Sequence, residues 1–167
     1  MLASLRIFLA AAAIAAPAAF AQQVAPDTYA FGKSALVDVP FGYEEAPGSG
    51  EILQVQLQEG GSIRFSLELK DAGKSRNSGE AFVRAWAKKN RLELRRTGNK
   101  LVAVEPRTVG EADGRATRST HIHIGFGRSI VLMTLTVFED EKEAHRVQHF
   151  FNVEMEQIIG SIRRTRG

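Results

Sequence analysis

The sequence predicts an α+β fold, in which a mostly antiparallel β-sheet carries one short helix and one long C-terminal helix. Two observations indicate this class. Between residues 35 and 138, most of the chain consists of alternating or apolar runs separated by glycine-containing turn signals, which are typical of β-hairpins. One helical pattern interrupts these runs near residue 80, and a second follows residue 140. Hairpin-linked strands with helices set apart from them favour a layered α+β domain.

The first 21 residues are typical of a signal peptide for export. Met1–Arg6 carry one positive charge, Ile7–Ala16 form a short apolar run, and Ala19-Phe20-Ala21 has the small-x-small form of a cleavage site. The apolar run is too short to cross a bilayer comfortably. We therefore expect cleavage after Ala21, which leaves residues 22–167 as a single periplasmic domain.

The composition excludes several kinds of chemistry. The chain contains no cysteine, so disulfides, thiol catalysis and thiolate metal sites are excluded. The formal net charge of +3 is small, and the basic residues are scattered along the chain. We expect no nucleic acid partner and no membrane span, and the sequence leaves the oligomeric state open.

Strand signals in the first half of the chain define one secure hairpin. Ala35–Val39 forms an apolar run that stops at Pro40. Leu53–Leu57 and Ile63–Leu69 each alternate between apolar and polar residues, and Gly60-Gly61 supplies a turn between them.

The first helical pattern is predicted to begin after Asn77 and to continue to about Lys89. Asn77 and Glu80 have the spacing of a capping box. Phe82 and Trp86 lie on one side of this helix, so we expect them to anchor it to the sheet. The only tryptophan is thus interpreted as a core residue rather than as a ligand platform.

The second half of the chain predicts four more strands and one mobile loop. Arg91–Thr97 and Lys100–Glu105 flank a Gly-Asn hairpin signal. Pro106–Arg115 contains two glycines and is predicted to be the loop. Ala116–Ile124 and Ser129–Phe138 are longer strands, and the apolar run within the second predicts a central strand covered on both faces.

The chain is predicted to close with a long helix that is capped by Asp140 and Glu143 and continues to about Arg164. Its apolar residues recur at helical spacing. The predicted core stripe consists of Ala144, Val147, Phe151, Met155, Ile158 and Ile162.

The four histidines form two pairs with different predicted environments. His121 and His123 project from one face of a strand, and His145 and His149 lie one turn apart on the last helix, where they should face solvent. A site that joined all four would need this helix to show its polar side to the sheet. Two interpretations of His121 and His123 stay open: metal ligands, or part of a polar strand face.

The order of elements resembles the Mog1/PsbP-like superfamily. The early strand ends in Val39-Pro40-Phe41-Gly42-Tyr43, similar to the strand-Pro-x-Gly-aromatic opening of those domains. One short helix interrupts the strands. The last helix ends in Ile158-Ile159-Gly160-Ser161-Ile162-Arg163, similar to the terminal I-x-x-S-aromatic-R pattern, with Ile162 in place of the aromatic residue.

This resemblance implies an α/β/α sandwich and a non-catalytic binding role, without any cofactor or catalytic residues to carry over. We expect a protein partner, and the specific version to test is an immunity protein that neutralises a type VI secretion effector. The expected contact surfaces are the loop Pro106–Arg115 and the strand face bearing His121 and His123. The alternative is a periplasmic protein that uses these two histidines to bind a metal or a small ligand.

Overall fold

The computed structural model describes residues 25–46, 51–58, 61–139 and 144–165. The predicted signal peptide with its cleavage after Ala21, and the predicted cap at Asp140 and Glu143, lie outside the described residues. Within these ranges the elements are, in chain order, β1 (Asp27–Phe31), β2 (Ala35–Val39), β3 (Tyr43–Glu45), β4 (Leu53–Leu57), β5 (Ile63–Asp71), α1 (Ser78–Asn90), β6 (Leu94–Thr97), β7 (Lys100–Val104), β8 (Thr108–Ala112), β9 (Arg115–Phe126), β10 (Ser129–Phe138), α2 (Ala144–His149), a π-helical segment (Phe150–Glu154), α3 (Met155–Ser161) and β11 (Arg163–Arg164).

The strands form two antiparallel sheets. The large sheet has the order β3-β4-β5-β10-β9-β7-β6, with β8 also paired to β9. The small sheet has the order β1-β2-β11. Every strand pair is antiparallel, so the predicted α+β class and mostly antiparallel sheet are confirmed. No helix among the described residues is long and apolar enough to span a membrane.

Helices cover both faces of the large sheet. Val102 of β7 packs in the main core with the C-terminal helix and the small sheet, whereas its neighbours Leu101 and Ala103 pack with α1. Because adjacent side chains of a strand point to opposite faces, the two helices lie on opposite sides of the sheet. β10 is central, as predicted, between β5 and β9. Its main-core face is buried, but on the other face Thr134 and Thr136 stay partly open.

The first helix sits on the sheet by a different face from the one predicted. Its buried residues are Gly79, Val83 and Ala87, while Phe82 is 37% exposed and Trp86 is half-buried. The prediction that Phe82 anchors the helix is wrong, because the i, i+4, i+8 stripe of Gly79, Val83 and Ala87 faces the strands; Trp86 contacts the sheet only from the edge of this stripe. A Cβ added at Gly79 would lie 2.0 Å from the Ser129 carbonyl oxygen.

The ends of α1 also differ from the prediction. Asn77 stands at the N-cap position, but its side chain makes no capping hydrogen bond, so the predicted capping box is absent. Glu80 instead pairs with Arg84 and Arg96. Arg91 ends the helix in the left-handed conformation, so β6 begins at Leu94 rather than at Arg91.

The C-terminal helix is shorter than predicted, and a π-helical segment changes which residues it buries. It ends at Ser161, and the chain continues as β11 along β2. The extra residue in a π turn shifts the stripe, so Phe150 is buried in the core and Phe151 is only half-buried. The predicted burial of Met155, Ile158 and Ile162 is confirmed.

A buried carboxylate fixes the π segment to β3. Glu154 is 6% exposed, and its side chain accepts hydrogen bonds from Tyr43 Oη at 2.7 Å and from Arg146 Nη1 at 2.6 Å. Burial, together with the hydrogen bond to Glu154, raises the pKa of the Tyr43 hydroxyl. Tyr43 therefore stays a hydrogen-bond donor and holds the carboxylate in place.

Candidate protein-binding surface

The two strand histidines have different environments. His121 is exposed, and its Nδ1 lies 3.1 Å from Thr134 Oγ1. His123 is only 7% exposed; its Nε2 lies 2.7 Å from Glu105 Oε1, and its ring centre lies 5.0 Å from that of Trp86. The strand face bearing His121 and His123 was expected to be a contact surface, but His123 is not accessible there, because α1 covers the part of the face on which it lies.

Trp86 and His123 meet at the carboxylate of Glu105. Trp86 Nε1 donates a hydrogen bond of 3.1 Å to the same Oε1 atom that contacts His123, and Phe82 stacks on the outer side of the indole at 6.1 Å. Burial acts to raise the pKa of the Glu105 carboxyl, but the hydrogen bonds from His123 and Trp86 prevail and lower it. These contacts tie α1 to the end of β7, so we interpret the cluster as structural.

Nothing in this geometry completes a metal site. The described parts of the chain contain no group of three His, Cys, Asp or Glu side chains placed to hold a metal ion. His145 and His149 are exposed on α2, across the sheet from the other two histidines. A metal ion at Nε2 of His123 would have to displace Glu105. Metal binding by His121 and His123 therefore stays a prediction.

The segment that was predicted to be a mobile loop is an ordered edge strand. Within Pro106–Arg115, residues Thr108–Ala112 form β8 and pair with β9. Asp113 and Gly114 make the two-residue turn, both with positive φ (52° and 68°). This Asp-Gly pair is a strong hairpin signal that the sequence prediction overlooked in favour of the proline and glycines.

A bulge separates β8 from β7 on the same edge of β9. Glu105 N–H donates to the His121 carbonyl, and Thr108 pairs with Ser119. From Glu105 to Thr108 the chain advances by three residues, whereas β9 advances by only two, from His121 to Ser119. The one extra residue on the β7–β8 side makes a β-bulge. Pro106 lies in this bulge, where no ladder hydrogen bond is required of it.

The outer edge of β8 is open. Because the His121 carbonyl faces this edge, the odd-numbered residues of β9 direct their backbone groups toward β8, and they pair with its even-numbered residues. The backbone N–H and C=O groups of Val109 and Glu111 therefore point away from β9, where no other described strand pairs with β8. Val109 is 80% exposed, the highest value among the large hydrophobic residues of the described chain.

An apolar cavity of about 490 Å³ lies beside this edge, between the sheet and the C-terminal helix. Leu135 and Val137 line it from β10, and Val147 lines it from α2. Arg118, which is paired with Glu139, also lines the cavity. Arg118 is the β9 partner of Val109 in register, so the exposed Val109 side chain lies on the same face as the cavity.

A second cavity of about 540 Å³ lies on the other side of Arg107, toward β6. The guanidinium of Arg107 stands 4.4 Å from the ring centre of Phe151 and separates the two cavities. Arg95 lines the second cavity. The sequence patterns indicated no role for Arg95 and did not predict this cavity, because a cavity formed between distant elements has no local sequence signal.

The fold is shared with solved structures at low sequence identity. A Bacteroides thetaiotaomicron VPI-5482 protein matches with a TM-score of 0.64 and 15% identity over 84% of this chain, which spans about half (49%) of that protein. A Mog1 variant matches with a TM-score of 0.50 and 10% identity, over 83% of this chain and 95% of Mog1. The Saccharomyces cerevisiae Ran-binding protein Mog1p gives 0.49 with the same identity and coverage.

The similarity to these structures has no counterpart at the level of sequence. No family model and no curated protein matches the sequence. The similarity is therefore one of fold, as the resemblance of the Val39-Pro40-Phe41-Gly42-Tyr43 opening and of the element order predicted. The chain has the Mog1/PsbP-like fold.

Proposed function

We propose that this chain is a non-catalytic protein-binding module that accepts an extended segment of a partner protein along the open edge of β8. The observation that carries the proposal is the outward direction of the backbone groups of Val109 and Glu111. An added strand would satisfy these groups by continuing the ladder of the large sheet, a common way of binding peptides.

The composition of β8 supports this use. Sheet edges are commonly protected against pairing by lysine, by proline or by a covering element. The sequence TVGEA of β8 contains neither residue, and no described element covers the strand. A partner strand would also carry alternate side chains over Val109 toward the apolar cavity, which can accept a side chain as a specificity pocket.

The proposed surface agrees in part with the surface expected from the sequence. β8 lies inside Pro106–Arg115, the first of the two expected contact regions. His121 remains exposed and can contribute at the border, whereas His123 is not accessible to a partner. Mog1p is a Ran-binding protein, but a likeness of fold assigns no particular partner to this chain.

We further propose that the partner is a toxin that the chain meets in the periplasm. The signal-peptide pattern supports a periplasmic encounter, and the specific role we propose there is that of an immunity protein neutralising a type VI secretion effector. Co-expression of this chain with a toxic effector encoded beside its gene should restore growth, and growth should fail again with Glu111→Pro. If no neighbouring effector is neutralised, the immunity role is wrong, while the binding surface is still testable as follows.

Site-specific photocrosslinking tests the surface itself. A photoreactive residue at position 109 should crosslink one defined protein when the chain is expressed in its source organism. The same residue at Lys88, which is exposed on α1, is the control and should not capture that protein. Equal capture from both positions, or capture of a second copy of this chain only, would contradict the proposal.

A further inference from the structure

The cavity toward β6 contains a cation with unsatisfied donors. Arg95 Nε and Nη2 are buried and have no hydrogen-bond partner among the described residues. These two nitrogens form the edge of a guanidinium that binds a carboxylate through two parallel hydrogen bonds. The next residue, Arg96, lies on the opposite face of the strand and is paired with Glu80. The lack of a partner is therefore specific to the side chain that lines the cavity.

A second guanidinium lines the same cavity. Arg107 stands over the Phe151 ring, and within the described chain it makes no hydrogen bond or ion pair. Its N–H donors are therefore free to bind a ligand. Two arginines from separate elements, β6 and the bulge before β8, thus line one open cavity.

Four apolar side chains also line this cavity. Val104 and Ile122 come from the sheet, and Phe151 and Met155 come from the C-terminal helix. The volume of about 540 Å³ falls within the range of small-molecule sites. Such a floor favours a ligand that has an apolar part as well as a charged head.

The charges of the lining favour a single negative charge on the ligand. Besides Arg95 and Arg107, Glu93 lines the cavity, whereas the Glu105 carboxylate lies on the α1 side of the sheet with Trp86 and His123, so the facing side chains carry a formal charge of +1. Glu105 is already engaged by donors from outside the cavity. A monocarboxylate would balance this charge and match the guanidinium edge of Arg95, whereas a phosphate dianion would exceed it.

We propose that this cavity binds a small amphipathic monocarboxylate, with its carboxylate on Arg95 and Arg107 and its apolar part on the partly exposed Val104 and Phe151. The site is distinct from the outer edge of β8. It does not depend on that edge being occupied.

Calorimetric titration of the purified chain with hexanoate tests the proposal. Hexanoate should bind at least about tenfold more tightly than hexanol or hexylammonium, because only the carboxylate offers the guanidinium a negative charge and two acceptor oxygens. Arg95→Gln should remove this preference, and Arg96→Gln is the matched control that should keep it. Arg107→Gln, at an exposed position, should weaken hexanoate binding even if Arg95→Gln fails to fold.

Two further comparisons give the source of the ligand and separate this proposal from the first. Tighter binding of hexanoate than of N-acetyl-leucine would point to a fatty acid, and the reverse to a peptide C-terminus; both share the carboxylate chemistry. Glu111→Pro should leave hexanoate binding unchanged. Equal affinity for hexanoate and hexanol, or no effect of both arginine substitutions, would overturn the proposal.

Discussion

Glu105 illustrates how one residue links two elements of this protein. Its carboxylate accepts hydrogen bonds from Trp86 of α1 and His123 of β9, and these lower its pKa despite burial. A carboxyl whose pKa is lower in the folded state stabilises that state above its unfolded-state pKa. This stabilisation is lost as the pH falls through the folded-state pKa.

Replacement of Glu105 should therefore have a pH-dependent effect. At pH 7 we expect Glu105→Gln to lower the free energy of unfolding by about 1–3 kcal/mol, and this difference should shrink well below pH 4. Urea unfolding followed by the fluorescence of the single tryptophan measures it. Glu93→Gln, at an exposed glutamate, is the control and should have little effect. An equal loss from Glu105→Gln at both pH values would contradict the assigned role of the charge.

The histidines show what residue patterns can and cannot predict. Strand alternation placed His121 and His123 on one face, and the helical pattern placed His145 and His149 toward solvent; both were correct. The strand pattern could not predict which part of that face α1 covers. The burial of His123 depends on the helix position, and hence on contacts that are distant in sequence.

At the scale of elements, α1 is seated on the sheet through a close approach at Gly79. Gly79 N–H donates to the Gly127 carbonyl at 2.9 Å, and an added Cβ would meet backbone atoms. Gly79→Ala should therefore lower the free energy of unfolding by about 2 kcal/mol or more. Gly160→Ala is the matched control, because an added Cβ there has no atom within 4 Å; it should stabilise α3 by about 0.5–1 kcal/mol. Urea unfolding of both variants checks this, and equal effects would contradict the seating.

The π segment should depend on the hydrogen bond from Tyr43 to Glu154. Tyr43→Phe leaves one oxygen of a buried carboxylate without its donor, so we expect a loss of about 1–2 kcal/mol in the free energy of unfolding. Tyr29→Phe, at a half-buried tyrosine outside this cluster, is the control. If the two substitutions have the same effect in urea unfolding, the buried pair does not hold the segment.

Elements were predictable where their own pattern defined them. The alternating runs of β4 and β5 and the apolar run of β10 correspond to strands at nearly the predicted positions. β8 was missed because its short sequence owes its strand conformation to pairing with the long β9. The sequence patterns predicted burial of Phe151 instead of Phe150. Both residues fit a helical apolar spacing, and the sequence does not show that a π turn inserts one residue here.

In the whole molecule, the outer edge of β8 is one of the edges of the large sheet that no other described strand pairs with. Helices cover both faces, and the small sheet extends the core beneath the C-terminal helix. The β8 edge has no covering element, no lysine and no proline in the described structure. Element order alone predicted the fold class correctly, but the open edge follows only from the register of β8 against β9.

Native mass spectrometry of the chain, recovered from its source organism under non-denaturing conditions, tests whether a partner protein binds along the β8 edge. Three forms are compared: the unaltered chain, Glu111→Pro, which removes one outward N–H from β8, and Glu111→Ala, which removes the side chain but keeps that N–H. We predict a complex with one defined second protein for the unaltered chain and for Glu111→Ala, and the bare chain for Glu111→Pro. A bare unaltered chain, or a complex that survives in folded Glu111→Pro, would contradict binding through the β8 edge.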